Sequence, residues 1–302
     1  MRASQDDAAG VRPTGGARRV RAAIEQAWRE ARRYGRRRPA GVVSLVVLVA
    51  VAAGVFLGPS FVRQSPVAVD PAGALSPPSR EHWLGTDELG RDVLVRLLHG
   101  GRVTLSVGVA SMVLSLVLGT ATGAVAGFYR GWAEVALMRL TDAMMAIPQF
   151  FLVLAALTVL GSGTLWVILV IALTSWMQTA RVVYGDVRKW AAQEFVESAY
   201  ALGATRRRVL VRHVLPQTLP VILVNASMGV AYAILVESAI SYLGLGVQPP
   251  TPSWGSMLQN AQTYVWTSPW LAVYPGLLIS VTVFAFHFLG DALQQWLDPH
   301  RR

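Results

Sequence analysis

The stretch Val103–Tyr129, VTLSVGVASMVLSLVLGTATGAVAGFY, runs for 27 residues without an Asp, Glu, Lys or Arg. A helix needs about 20 apolar residues to cross roughly 30 Å of hydrocarbon, so this stretch reads as a membrane span. Four other runs share the property: Pro39–Val62 with 24 residues, Ala143–Ala180 with 38, Val214–Val236 with 23 and Ser238–Gly290 with 53. The 38-residue run is long enough for two crossings and is interrupted by Gly161-Ser-Gly-Thr164. The last run passes through a Pro-rich stretch, from Pro249 to Pro275, before a final apolar segment near Leu271–Gly290. An all-α integral membrane protein is expected, with six transmembrane helices near 41–62, 104–127, 142–160, 164–182, 219–243 and 271–290.

Composition agrees. Of 302 residues, 53% are hydrophobic and 15% charged, where a soluble domain has about 25% charged. The net charge of +10 invites a nucleic-acid reading, but the basic residues cluster between apolar runs, so no nucleic-acid partner is expected. Eleven lie in the tail up to Arg38, two in 128–142, seven in 181–213 and two at the C-terminus, against five in 63–102. Those five are balanced by Asp70, Glu81, Asp87, Glu88 and Asp92. Basic residues favour the cytoplasmic side, which puts both termini there and 63–102 outside.

Several chemistries are excluded. With no cysteine there is no disulfide, thiolate metal site or thiol nucleophile. The single lysine, Lys189, follows Arg188, so no G-x-x-x-x-G-K phosphate loop exists. The five histidines form no close pair, and G-x-S-x-G is missing. No cofactor, metal or catalytic residue is expected.

The link between the fourth and fifth expected spans reads Glu194-Phe-Val-Glu197-Ser-Ala199-Tyr-Ala-Leu-Gly203-Ala204-Thr-Arg206-Arg207-Arg208-Val-Leu-Val-Arg-His213-Val-Leu-Pro216. This predicts a short helix ended by Gly203, a basic stretch, and a proline opening the next span, where its missing N–H costs little. An arbitrary loop of this kind would be a solvated connection.

This segment resembles the E-A-A–x3–G–x9–I-x-L-P signature of the membrane subunits of bacterial ABC importers. Glu197, Ala199 and Gly203 match it, Ser198 stands where the signature has Ala, and His213 occupies the Ile position, as it often does in the peptide branch. Three further stretches are similar to the second permease subunit of dipeptide and oligopeptide importers. They are His82-Trp-Leu-Gly-Thr-Asp-Glu-Leu-Gly-Arg-Asp92, Ser241-Tyr-Leu-Gly-Leu-Gly-Val-Gln-Pro-Pro-Thr-Pro-Ser-Trp254 and Leu289-Gly-Asp-Ala-Leu-Gln-Gln-Trp-Leu-Asp-Pro299. Together the four cover about 80 to 300 in the expected order; the tail 1–38 carries none of them.

The resemblance implies a type I ABC importer permease of the bacterial inner membrane. It implies as partners a second, non-identical permease subunit, two ATPase subunits and an extracytoplasmic substrate-binding protein, with membrane lipid around the spans. The implied organisation is a tail (1–38), a first span (39–62), an outer segment (63–102), a permease core (103–291) with a coupling loop at 190–216, and a C-terminal tail (292–302). Glu197, Ala199, Gly203, Ala204 and Pro216 would couple to the ATPase, Ala199 by permitting close approach. Arg206, Arg207 and Arg208 would touch the ATPase or anionic lipid. Peptides lead as substrate; nickel chelates, glutathione and some sugars are alternatives.

Other features remain. Glu237 is the one acid deep in an apolar span; it either lines the path or anchors and gates the outer boundary, with the latter favoured. His287 reads as a packed histidine, and Asp142 as the partner of Arg139 at helical spacing. Gly119, Gly123 and Gly127, and likewise Ala50, Gly54 and Gly58, form small-residue stripes suited to helix contact. Residues 80–100 are expected as an amphipathic helix with Leu89, Val93 and Leu97 toward the bundle, and the Trp-rich 244–270 link as packed on the spans or the binding protein. Residues 17–34 read either as a basic amphipathic helix on the inner leaflet or as a solvated tail, and 1–16 as disordered. An ion-driven secondary transporter would want midplane charges and inverted repeats, and an intramembrane enzyme paired acids; Glu237 alone supplies neither.

Overall fold

A computed structural model describes residues 39–62 and 64–297; the 1–38 tail with its expected helix at 17–34, and residues 298–302, lie outside the described residues. The helices are α1 (Pro39–Phe61), α2 (Val93–Tyr129), α3 (Gly131–Met145), α4 (Gln149–Leu160), α5 (Thr164–Trp190), α6 (Glu194–Ala201), α7 (Arg206–Tyr242), α8 (Trp254–Ala261) and α9 (Trp270–Leu297). No strand occurs among the described residues, where Thr86 and Asp92 form an isolated antiparallel bridge. Five helices are long and apolar enough to cross a membrane, and six if the bent pair α3–α4 counts as one span.

Several helices outrun the expected boundaries. α2 has 37 residues, α5 continues to Trp190, and α9 continues to Leu297 through what was expected to be a tail. At 1.5 Å per residue α2 is about 55 Å long, well beyond the hydrocarbon. An uncharged run marks the hydrocarbon, whereas backbone hydrogen bonding carries the helix on into charged sequence.

The third expected span, 142–160, is not one straight helix. α3 and α4 meet at 85° across Ala146-Ile147-Pro148. Proline disfavours helical geometry at the preceding residue, here Ile147. α4 has 12 residues, or about 18 Å, too short to cross alone. α3 runs antiparallel to α5 and is held there by Glu134, which accepts from Arg188 at 2.7 Å and from the Tyr184 hydroxyl, and by an Asp142–Arg181 ion pair. The expected Arg139 partner is thus replaced by a residue on the facing helix.

The glycine stripe of α2 packs on α5. A Cβ at Gly119 would lie 2.5 Å from Thr179 Cβ and 2.6 Å from the Trp176 carbonyl oxygen; one at Gly127 would lie 2.8 Å from the Tyr184 carbonyl oxygen. Gly123 faces the backbone of Ala180 and Tyr184 in the same way. Without side chains the two backbones approach closely, which in lipid drives helix association through van der Waals contact. The α1 stripe does not do this: Gly54 has nothing within 4 Å, and a Cβ at Gly58 would meet only the Leu98 side chain, at 3.1 Å.

The outer segment differs most from expectation. No helix covers 80–92; Gly85 and Gly90 have φ of 78° and 73°, and a side chain at Gly90 would strike the Asp70 carbonyl. α2 starts at Val93, capped by Asp92, whose Oδ1 accepts from the Val95 amide at 3.0 Å and whose Oδ2 lies 2.8 Å from His82 Nδ1. Asp87 is buried and accepts from the Leu89 and Arg91 amides at 3.0 Å, from Arg91 Nε at 2.7 Å, and pairs with Arg96 Nε at 3.2 Å. Val93 and Leu97 are buried as expected, while Leu89 is exposed.

The 244–270 link packs on the spans. The Trp254 side chain is fully buried; its Nε1 donates to the Leu97 carbonyl at 2.9 Å and its amide to Thr104 Oγ1 at 3.1 Å. Ser253 and Ser256 close a capping box on α8. Trp266, by contrast, is exposed.

Candidate functional site

α6 ends as glycine chemistry dictates. Gly203 takes φ of 81°, its amide donates to the Tyr200 carbonyl at 2.9 Å, and the Ala204 amide donates to the Ala199 carbonyl at 3.0 Å. This pair of bonds is a Schellman motif, which satisfies the last carbonyls of the helix. Thr205 then caps α7, accepting from the Arg208 amide at 3.4 Å.

The two faces of α6 differ. Val196 and Ala199 are buried and pack with Val183, Val187, Val209 and Val214 of the same chain. Ala199 therefore does not face outward as expected; its small side chain lets α6 sit on α5 and α7. The opposite face exposes Glu197, Tyr200 and Leu202, the last at 89%, and Arg206, Arg207 and Arg208 beside them are exposed as well. None of the Glu197, Arg206, Arg207 and Arg208 side chains has a partner among the described residues.

Pro216 lies in the first turn of the α-helical stretch Leu215–Tyr242, as expected, but the helix does not start there. α7 begins ten residues earlier at Arg206 and passes through a π-helical turn, Leu210–Val214, before reaching it. Proline inside a helix lacks a donor and crowds the carbonyl four residues back. The wider π turn, closed by the Leu215 amide donating to the Leu210 carbonyl, precedes this proline and carries the helix through. The 194–209 segment is thus joined to its span by continuous helix.

That span lines a cavity of about 1030 Å³ between α2, α5, α7 and α9. α5 contributes Ser175, Gln178, Val182, Asp186 and Lys189, at the spacing of one helix face, and α7 contributes Gln217, Asn225 and Tyr232. His287 of α9 also lines it, so it is not the packed core histidine expected. These residues escaped the sequence reading. The available signal was polar residues recurring every three or four positions inside otherwise apolar spans.

Glu237 lies outside that lining. It is fully buried, its carboxyl accepts from Ser241 Oγ at 2.7 Å, and Thr104 and Ser253 reach the same group. Buried polar groups are stable only when so bonded. Glu237 ties α7 to α2 and to the start of α8.

Residues 119–302 match the family model described as binding-protein-dependent transport system inner membrane component. The chain belongs to that family. It is a permease component of the bacterial inner membrane, and residues 26–78 match a second model, the N-terminal transmembrane domain of oligopeptide transport permease C. Among relatives of this permease, the oligopeptide transport system permease protein OppC of Bacillus subtilis (strain 168) is 35% identical over 91% of this chain and 90% of its own. The dipeptide transport system permease protein DppC of Alkalihalophilus pseudofirmus is 34% identical over 90% of each. The glutathione transport system permease protein GsiD of Pectobacterium atrosepticum is 40% identical over 74% of each. The permease also shares its fold with a chain of the inward-facing MetNI methionine ABC transporter, at a TM-score of 0.54 and 19% identity, covering 68% of this chain and 96% of that one. This is the type I ABC importer permease fold.

Proposed function

We propose that this permease forms half of the path by which an ATP-driven importer takes up dipeptides or oligopeptides. A second permease subunit closes the cavity, two ATPase subunits dock beneath, and an extracytoplasmic binding protein delivers substrate. The observation that carries this is the rigid connection of α6 to the cavity. An outward-facing surface with Leu202 at its tip is clamped by a Schellman turn to α7, and α7 is itself a cavity wall. Closure of the ATPase pair would move that wall, because a ligand shifts an equilibrium by binding one state better than the other. Both termini are cytoplasmic in this reading, supported by the distribution of basic residues. The oligopeptide, dipeptide and glutathione relatives support a peptide substrate, with glutathione itself a small peptide. Glu237 serves as a structural tie and not as a path residue.

The chain lacks cysteine, so Leu202→Cys supplies a single thiol at the tip of α6. A membrane-impermeant maleimide is expected to label it from the cytoplasmic side alone, and co-assembled ATPase subunits to shield it. Labelling from outside would reverse the orientation. Labelling unchanged by the ATPase would remove α6 as the docking element.

A further inference from the structure

The cavity has one end next to α6, and there Asp186, Lys189, Trp190 and Gln193 line it together. Asp186 is the one acid among the described lining residues. Its Oδ2 is buried without a hydrogen-bond partner, although the Trp190 side chain reaches the same carboxyl. Lys189, one turn along the helix, does not bond it; its Nζ stands over the Trp190 ring, 5.3 Å from the centroid. A carboxyl group lining a cavity beside an indole face offers an ammonium both a charged acceptor and a cation–π surface, and Lys189 already occupies the second of these.

We infer that Asp186 and Trp190 form a recognition subsite for the ammonium group of the transported solute at the end of the cavity nearest the coupling helix. Lys189 is its built-in competitor: its own ammonium rests on the indole until the solute displaces it. The subsite gives an amine-bearing solute a last foothold before release, and the lysine prevents that foothold from becoming a trap. This deepens the peptide reading above and rests on it.

The test uses the assembled transporter, with its binding protein and ATPases, in proteoliposomes. Uptake of trialanine and of N-acetyl-trialanine is measured for each variant relative to the native protein. Asp186→Asn should slow trialanine uptake about tenfold, the worth of one charge-assisted hydrogen bond, while leaving the acetylated peptide within about twofold. Asp186→Glu keeps the carboxylate and should retain most trialanine uptake. Lys189→Gln removes the competitor and should slow trialanine uptake by holding the solute, while leaving the acetylated peptide within about twofold. Equal loss of both peptides in Asp186→Asn or in Lys189→Gln, or no rescue by Glu, would each overturn the subsite in favour of a structural role. If the native transporter takes up neither peptide, the peptide reading itself fails and the subsite falls with it.

Discussion

Segments 64–92 and 191–209, outer and inner in the proposed orientation, are both connections of mixed charge that carry family-like motifs, yet they use their side chains in opposite ways. In the outer segment Asp87 and Arg91 are buried and bonded to each other, Asp87 also pairs with the buried Arg96 of α2, and Glu88 adds a 2.7 Å contact to Arg91. Thr86 accepts from the Ser76 amide at 2.9 Å and donates to the Gly73 carbonyl. In the inner segment the bonding is almost wholly backbone, while Glu197, Leu202 and the three arginines project without partners. A motif that consumes its own polar groups holds the fold; one that leaves them free offers the surface on which the proposed ATPase contact would fall.

The difference can be pressed by substitution. The largest effect is expected from Asp87→Ala, which leaves Arg91 and Arg96 buried with their shared carboxylate gone. Breaking a buried pair in this way costs about 3–5 kcal/mol. The subunit should lose membrane abundance and melt earlier in detergent; an unchanged melting point would mean the cluster is not a structural staple.

Gly203→Val should spare the fold and strike function. A Cβ at Gly203 meets nothing within 4 Å, so the substitution acts through the backbone alone. A branched residue resists φ of 81°, with strain of about 1–2 kcal/mol, enough to displace the short helix α6. The expected result is normal abundance, weakened ATPase association or uncoupled hydrolysis, and no uptake. Normal transport would sever α6 from the coupling mechanism.

Glu197→Ala is the mildest. It removes one exposed side chain with no partner in this chain, so melting should hold. Uptake should fall by no more than about fivefold, the worth of one exposed polar contact. A complete loss would make Glu197 the centre of the interface instead of its rim.

The features legible in the sequence were those that depend on near neighbours. A run of apolar residues is either long enough to cross a bilayer or it is not, so the all-α class and five of the six expected spans followed directly, the sixth being the bent pair α3–α4. The turn at Gly203 was legible for the same reason: its two bonds close within six residues. The bend before α4 had a local signal too, in Ile147-Pro148, but the helical pattern around it masked that signal. Other features rest on meetings between distant parts of the chain. Trp254 bonds Leu97 across 157 positions, Asp142 finds Arg181 in place of Arg139, and Glu237 is bonded rather than open to the cavity. The cavity lining belongs to this group, since α2, α5, α7 and α9 must first pack before any of their polar residues share a surface. Which faces meet depends on the shapes of all the helices at once, so local spacing proposes partners and tertiary packing selects among them.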